Sequence, residues 1–371
     1  MALGSNSVQV AVMPGDGIGV EVTDAAMGVL GRLTRRHGLG LTTETLRAGA
    51  FAYQETGTAM SEETFGRAQK ADAILLGAMG WPGIRYPDGT EIAPQLDLRF
   101  RLGLYAGVRP IRAIPGVPLA LAHPRAKEID MVILRESTEG MFAARGRGEI
   151  IEDREARDTM VITRATTERL TRFACRLAQR RAERMGRPQT VTLVDKANVF
   201  TGFAFMRKVF YEAAAEFPDV PARDHYVDAM ALDLVRRPWD FDVLPMENLF
   251  GDILSDLGAG LIGGMGFAPS ADIGQGNAMF QPSHGSAPDI FGKRIANPTA
   301  MILSAAMMLD WLGARHGSPA AETAAAAMTK AVDLAFGGGR VRSYDIGGKD
   351  GTDTIAKIVA DAILSGEADP A

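Results

Sequence analysis

Val8-Gln9-Val10-Ala11-Val12-Met13-Pro14-Gly15-Asp16-Gly17-Ile18-Gly19 opens the chain with an apolar strand, a glycine turn and the start of a helix. That order invites a dinucleotide-binding reading, and two details refuse it. The spacing is G-x-G-x-G, without the third glycine of the fingerprint, and Glu44 lies inside the next strand where an acid at the strand's end is needed. The stretch is therefore a tight strand-to-helix turn, either approaching a ligand or purely structural.

Outward from this turn, short apolar runs alternate with helical patterns. Val8 to Met13, Leu41 to Arg47, Ala71 to Gly77, Met131 to Arg135, Val191 to Asp195 and Phe241 to Pro245 read as strands. Between and after them Glu21 to Arg36, Ser61 to Lys70, Glu168 to Met185, Gly202 to Glu216, Pro298 to Leu312, Ala320 to Phe336 and Thr352 to Leu364 read as helices. Such alternation predicts an α/β fold. Gly- and Pro-rich stretches at Gly80 to Gly89 and Gly258 to Pro269 are candidate active-site loops or domain crossings.

With 371 residues, 46% hydrophobic and 23% charged, the chain can bury a large core and divide into two domains. A net charge of −5 gives no general basic field for nucleic acid, and the arginines between Arg172 and Arg187 have the spacing of a solvated helix face. One cysteine, Cys175, supports neither a disulfide nor a thiolate metal site within a chain, and its helical context reads as core. Met1 to Ser7 lacks a signal pattern and no apolar run reaches membrane length, so the expectation is a cytoplasmic protein.

In Glu247-Asn248-Leu249-Phe250-Gly251-Asp252-Ile253-Leu254-Ser255-Asp256, two carboxylates stand four apart at the start of a helix and so share one face. They are either a solvated face or half of a site for a hard cation such as Mg2+ or Mn2+. Asp228 is a third candidate ligand or a helix cap. Arg99 and Arg101, Arg109, and Arg135 at a strand end are each surface partners or, together, a clamp for several carboxylates. Lys196, just past a buried strand, is a candidate general base. The small-residue loop His284-Gly285-Ser286-Ala287-Pro288-Asp289 either approaches a phosphate or base, with its acid on a ribose, or is a surface turn.

Taken together, Asn248 to Asp256, Val194-Asp195-Lys196-Ala197-Asn198 and HGSAPDIFGKRIANPT (His284 to Thr299) resemble the β-decarboxylating dehydrogenases of isopropylmalate, isocitrate, homoisocitrate, tartrate and D-malate. The resemblance covers nearly the whole chain. It implies a two-domain isopropylmalate-dehydrogenase-like fold with a mixed sheet, not a Rossmann fold. Residues 1–104 and 263–371 would form the cofactor-binding domain, and residues 105–262 the dimerising, metal- and substrate-binding domain. The implied reaction is NAD-dependent oxidation of a malate-type 2-hydroxy di- or tricarboxylic acid with loss of the β-carboxylate.

By the same resemblance, Arg99, Arg109 and Arg135 hold substrate carboxylates, and Asp228, Asp252 and Asp256 hold Mg2+ or Mn2+. Lys196 and Asp228 are the catalytic residues, Lys196 taking the hydroxyl proton. Ile18, Asn198, His284, Gly285, Ser286, Ala287, Asp289 and Asn297 contact NAD, with Asn198 near the nicotinamide. Lys196 and one aspartate would come from the partner of an obligate homodimer, and neither nucleic acid nor membrane is involved. An acid at Asp289 marks NAD-specific members, since a carboxylate about 4 Å from a 2′-phosphate costs roughly 4 kcal/mol per unit charge at a dielectric of ~20.

Two positions depart from the pattern. Phe142 stands where the family carries a tyrosine that protonates the enolate. Protonation then falls to water or Lys196, or the reaction stops at the 2-keto acid, or the chain is a silent binding or regulatory subunit. Gln95 interrupts the apolar face of Glu91 to Leu98, which packs on an isopropyl group in isopropylmalate enzymes. Its polarity favours D-malate, tartrate or another substituted malate over isopropylmalate, and Ser137 fits an isocitrate site only loosely.

Overall fold

The structure is a computed structural model and describes residues 8–369. Met1 to Ser7, and the reading of them as free of a signal pattern, lie outside the described residues. Ten strands form one sheet: Val8–Gly15 (β1), Leu41–Thr45 (β2), Ala73–Ala78 (β3), Ala106–Arg112 (β4), Asp130–Glu136 (β5), Val191–Asp195 (β8), Ala222–Tyr226 (β9), Val243–Met246 (β10), Pro269–Ile273 (β11) and Ala278–Pro282 (β12). Glu149–Ile151 (β6) and Glu155–Arg157 (β7) make a separate hairpin. The helices are Ile18–Arg36 (α1), Ala50–Thr56 (α2), Glu62–Lys70 (α3), Pro94–Arg101 (α4), Arg164–Met185 (α5), Thr201–Ala214 (α6), Val227–Arg236 (α7), Asn248–Leu261 (α8), Thr299–His316 (α9), Pro319–Gly337 (α10) and Thr352–Leu364 (α11).

The strand order is β2-β1-β3-β12-β11-β4-β5-β10-β8-β9. Strands from the two chain ends thus occupy one half of the sheet and strands from the middle of the chain occupy the other. They meet where β11 pairs antiparallel with β4, through Asp272↔Gly107. Both halves are parallel, and the reversals fall at β12-β11-β4-β5. The sheet is mixed, as expected. Buried on both faces, β3 and β10 read as unbroken apolar runs and β8 as one interrupted only by Thr192 before its terminal Asp195, which is why they were legible in the sequence.

Four strands of the ten-stranded sheet escaped that reading, as did the β6–β7 hairpin. β4 carries two arginines and Pro110, β9 is polar, β11 holds an aspartate, and β12 is only five residues long. One loop expectation is corrected: α8 continues to Leu261, so the glycine-rich Gly258 to Pro269 begins inside a helix. A Cβ on Gly258 would sit 2.8 Å from Ile111, so glycine here permits close helix-to-sheet packing rather than a turn.

On α5 the arginines find neighbouring acids: Arg172 pairs with Glu216, Arg181 with Asp130, and Arg180 and Arg184 both with Asp310 of α9. The expected solvated face is an ion-paired one. Cys175 is buried, and burial pushes its thiol up to about 11, so it is core.

The opening turn is held by Asp16. Its fully buried carboxylate accepts hydrogen bonds from Ala50 N (2.7 Å) and Phe51 N (2.8 Å) at the start of α2, and from Gly80 N (2.9 Å) after β3. Gly17 lies against Ser286, whose carbonyl accepts Ile18 N at 2.9 Å. Asp16→Ala strands three buried N–H groups, each costing about 1–3 kcal/mol. A loss of about 3 kcal/mol or more is expected in urea unfolding at pH 7, and an unchanged midpoint would refute this anchoring role.

Candidate active site

An aspartate in the middle of an apolar strand is costly unless partnered, and Asp272 on β11 is fully partnered. Arg99, reaching from the last turn of α4, donates Nε to it at 3.0 Å, and Arg109 of β4 lies 3.6 Å away. Ser137 Oγ donates at 3.3 Å and Gln281 Nε2 at 3.1 Å. Burial alone raises a carboxyl, but Arg99, Arg109 and Arg135 outweigh it and hold Asp272 below the ordinary range. The three arginines, buried themselves, do converge.

Burial pulls Arg109 below its ordinary value and, with repulsion from Arg99, brings Arg135 down to about 10. Arg109 Nη1 is buried with no hydrogen-bond partner among the described residues. A buried guanidinium donor left open marks a place for an anion. Gly107 makes the packing possible, because a Cβ there would lie 2.6 Å from Ser137 Oγ and 3.2 Å from Asp272 Oδ1.

Helix α8 brings the paired acids to these arginines. Glu247 caps it, accepting Leu249 N (3.0 Å) and Phe250 N (3.3 Å), and also takes Met141 N at 2.8 Å. Asn248 accepts Arg135 Nε at 2.8 Å and donates to Glu139 O at 3.0 Å. Gly251 lets the helix lie directly on Arg135. Asp252 then pairs with Arg135 Nη1, and Asp256 one turn on is raised above the ordinary carboxylate range by burial and by Asp252. Two hard oxygen donors in mutual repulsion fit a divalent cation.

Lys196 and Asp228 sit apart from this cluster as a pair of their own, Lys196 Nζ donating to Asp228 at 2.6 Å. That bond holds Asp228 below its usual range. Lys196 Nζ also lies 5.8 Å from the Tyr226 ring. No group of three or more His, Cys, Asp or Glu side chains suited to a metal occurs among the described residues, so one chain does not bring Asp228 to Asp252 and Asp256. Asn198 is exposed in the turn before α6. Exposed Val199, Phe200, Leu232, Val235 and Ile253 accompany these residues on the turn before α6 and on α7 and α8.

The His284–Asp289 loop lies against the first turn of α1 through Ser286. Gly285 has open space around it, Ala287 takes φ +40°, and Asp289 is exposed. His284 Nε2 is buried without a partner among the described residues, and burial pulls its imidazole below the ordinary value. An open donor or acceptor beside a small-residue backbone suits a nucleotide. Two of the expected contacts are otherwise engaged. Ile18 is core, and Asn297 caps α9 by accepting Thr299 N (3.0 Å) while donating to Asp345 (3.0 Å) and Ser343 (3.4 Å).

With this geometry in view, residues 9–362 match the isocitrate/isopropylmalate dehydrogenase family. The chain belongs to that family. It is 41% identical to the 3-isopropylmalate dehydrogenase of Methanothermobacter thermautotrophicus over 357 residues, 95% of this chain and 98% of that one. It is equally 41% identical to the 3-isopropylmalate/3-methylmalate dehydrogenase of Methanocaldococcus jannaschii over 353 residues, again 95% and 98%. The crystal structure of isocitrate dehydrogenase from Methylococcus capsulatus superposes with a TM-score of 0.82 at 36% identity, covering 96% of this chain and 99% of that one. The family makes this chain an NAD- and metal-dependent decarboxylating dehydrogenase.

Sequence reading missed Asp272, Glu136 and the capping work of Glu247 and Asn248. An acid inside the apolar run Pro269 to Ile273 was the available signal for the first. Glu136, at the end of β5, is buried and accepts Thr138 N (2.7 Å), Thr138 Oγ1 (2.6 Å) and Glu139 N (2.6 Å), yet burial pushes its carboxyl up to about 7.

The unfolded carboxyl, with an ordinary pKa near ~4.3, gives up its proton first as pH rises, so the folded state loses stability between about pH 4.5 and 7. Wild type is expected to lose on the order of 3 kcal/mol over this window relative to Glu136→Gln. Urea midpoints at pH 5 and pH 8 check this, and parallel losses in both proteins would exclude it.

Proposed function

We propose that the protein catalyses NAD-dependent oxidative decarboxylation of a malate-type 2-hydroxy acid with a polar substituent at C3, using Mg2+ or Mn2+. The observation that carries this reading is the convergence of Arg99, Arg109 and Arg135 on one side of the Asp252–Asp256 pair, with an open guanidinium donor at Arg109. The arginines bind the substrate carboxylates. Lys196, as the neutral amine, takes the hydroxyl proton, and Asp228 holds the ammonium that results. Asp252, Asp256 and the partner subunit's Asp228 would hold a divalent cation, which would supply Lewis acidity at the reacting oxygen, and bound NAD would supply the hydride acceptor.

The substituent is assigned from Gln95, one helical turn before Arg99 and on the same face. Its Oε1 is buried with no partner among the described residues. A C3 hydroxyl would satisfy it and an isopropyl group would not. On this count tartrate fits best; D-malate, with only hydrogens at C3, leaves Gln95 unpaired but brings no apolar group to it, and isopropylmalate fits worst.

A homodimer completes the site. The exposed apolar residues on α7, α8 and the turn before α6 lie beside the unmatched Lys196–Asp228 pair, so covering them with a second copy also delivers the missing base and acid. The division at residues 104/105 and 262/263 places the domain seam at the β11–β4 pair. The protein works in the cytoplasm, and no described helix is long and apolar enough to cross a membrane.

Phe142 lies under the Arg135 guanidinium, 4.8 Å from ring centroid to guanidinium carbon, and offers no proton. Lys196, carrying the proton it removed, or water returns one to the enolate carbon after CO2 leaves. Phe142 also favours a second reading, a silent subunit that binds the same ligands.

NADH formation from D-malate, tartrate, isopropylmalate and isocitrate with Mn2+ separates the two. Activity on a polar-substituted malate, abolished by EDTA and restored by Mn2+, is expected, with one CO2 per NADH. A blank across the panel favours the silent subunit, and NADH without CO2 places the end of the reaction at the keto acid.

Lys196→Met is expected to lower kcat about 10²–10⁴-fold. Asp289 disfavours a 2′-phosphate, so kcat/KM is expected to be higher for NAD than for NADP, and equal values would remove Asp289 from cofactor choice.

A further inference from the structure

We propose that Asp272 sets the charge of the substrate the arginine cleft accepts, restricting the enzyme to dicarboxylates whose C3 substituent is uncharged. This rests on the reading of the arginine cluster as the substrate site and narrows it. Asp272 has no exposed surface and does not meet substrate; it acts as a positioning residue through Arg99 and Arg109.

Three guanidinium charges less the Asp272 carboxylate leave two. In the binding state, before any proton is transferred and with Lys196 the ammonium that donates to Asp228, the acids assigned to the cation, Asp228, Asp252 and Asp256, together with Lys196 carry a net charge of two negatives, which a divalent cation cancels. What remains for the substrate is a cleft of charge +2, and a dianion neutralises it. A third carboxylate would stay unbalanced in a buried site, where uncompensated charge is costly. At ~7 Å and a dielectric of ~20, one unit charge is worth on the order of 50-fold in binding, and solvent reduces this to about tenfold.

The neutral neighbours agree with this count. Gln281 and Ser137, which both donate to Asp272, add no charge. Gln95, one helical turn before Arg99, carries a buried carbonyl oxygen without a partner among the described residues rather than a cation. A carboxylate there would meet an acceptor, and a hydroxyl a partner.

Calorimetric titration in Mn2+ with two unreactive anions, succinate and propane-1,2,3-tricarboxylate, tests this without turnover. Wild type is expected to bind the dicarboxylate at least tenfold more tightly, and Asp272→Asn, which keeps the shape and an acceptor, is expected to narrow the gap to under threefold. Gln281→Glu, which adds a negative charge beside Asp272, is expected to widen it.

Equal affinities in wild type overturn the proposal, as does a preference that Asp272→Asn leaves intact. Should Asp272→Asn not fold, wild type and Gln281→Glu decide between the same outcomes. A loss of packing alone would weaken both anions together and leave their ratio unmoved. A blank substrate panel would instead sink the catalytic reading, whatever the two anions do.

Discussion

A buried carboxylate surrounded by three buried guanidiniums is the constraint around which the centre of this molecule is organised. Arg99 comes from a helix in the N-terminal segment, Arg109 and Arg135 from the middle of the chain, and Asp272 from the returning C-terminal segment. None of these charges could be buried alone. Their mutual neutralisation therefore requires the β11–β4 pairing to be in register, since Asp272↔Gly107 and Gly107↔Arg135 put acid and arginine abreast. Gly107 between them is the position with no side chain to intervene.

A second layer fixes the orientation of Arg135. Asn248 holds Arg135 Nε, leaving Nη1 for Asp252, while Phe142 supports the flat face of the guanidinium. Glu247 links the loop after β5 to the first turn of α8, so the arginine and the paired acids move as one unit. Glu136 and Glu139 shape that loop from within, Glu139 accepting Thr163 N and the Thr163 and Thr166 hydroxyls at the start of α5. Several buried carboxylates are thus committed to placing other charges.

What the sequence disclosed follows from this division of labour. Strands buried on both faces and helices with clear caps, such as Ser61 before α3, declare themselves locally. So do acids four apart and arginines at strand ends. Asp272 did not, because its meaning depends on Arg99, 173 residues away, and local pattern carries no such information. β4 was hidden for the same reason, since Arg109 and Arg112 meet Asp272 and Asp333, whereas polar β9 has partners nearer in sequence, Asp224 with Tyr211 and His225 with Asp233. Asn297 lies in the most recognisable segment of the chain, but the work of its amide in holding the start of α9 depends on Thr299 and on Asp345, 48 residues away, and only the first is local.

The described chain also carries an imbalance that its own folding does not resolve. Asp252 and Asp256 repel one another on α8, adding to the burial that raises Asp256, while Lys196 and Asp228 satisfy each other as a separate pair. Apolar Ile253 on α8 and Leu232 and Val235 on α7 remain in water beside them. Burying that apolar surface and relieving that repulsion are the same event if a second copy supplies its Lys196–Asp228 pair to the α8 acids. Assembly would then be driven by ordinary hydrophobic burial, whereas its geometry would be selected by charge. A chain that failed to pair would keep its arginine cleft, since Asp272 offsets part of that charge within one protomer. On the proposed reading, anion binding would then belong to the single fold and chemistry to the pair.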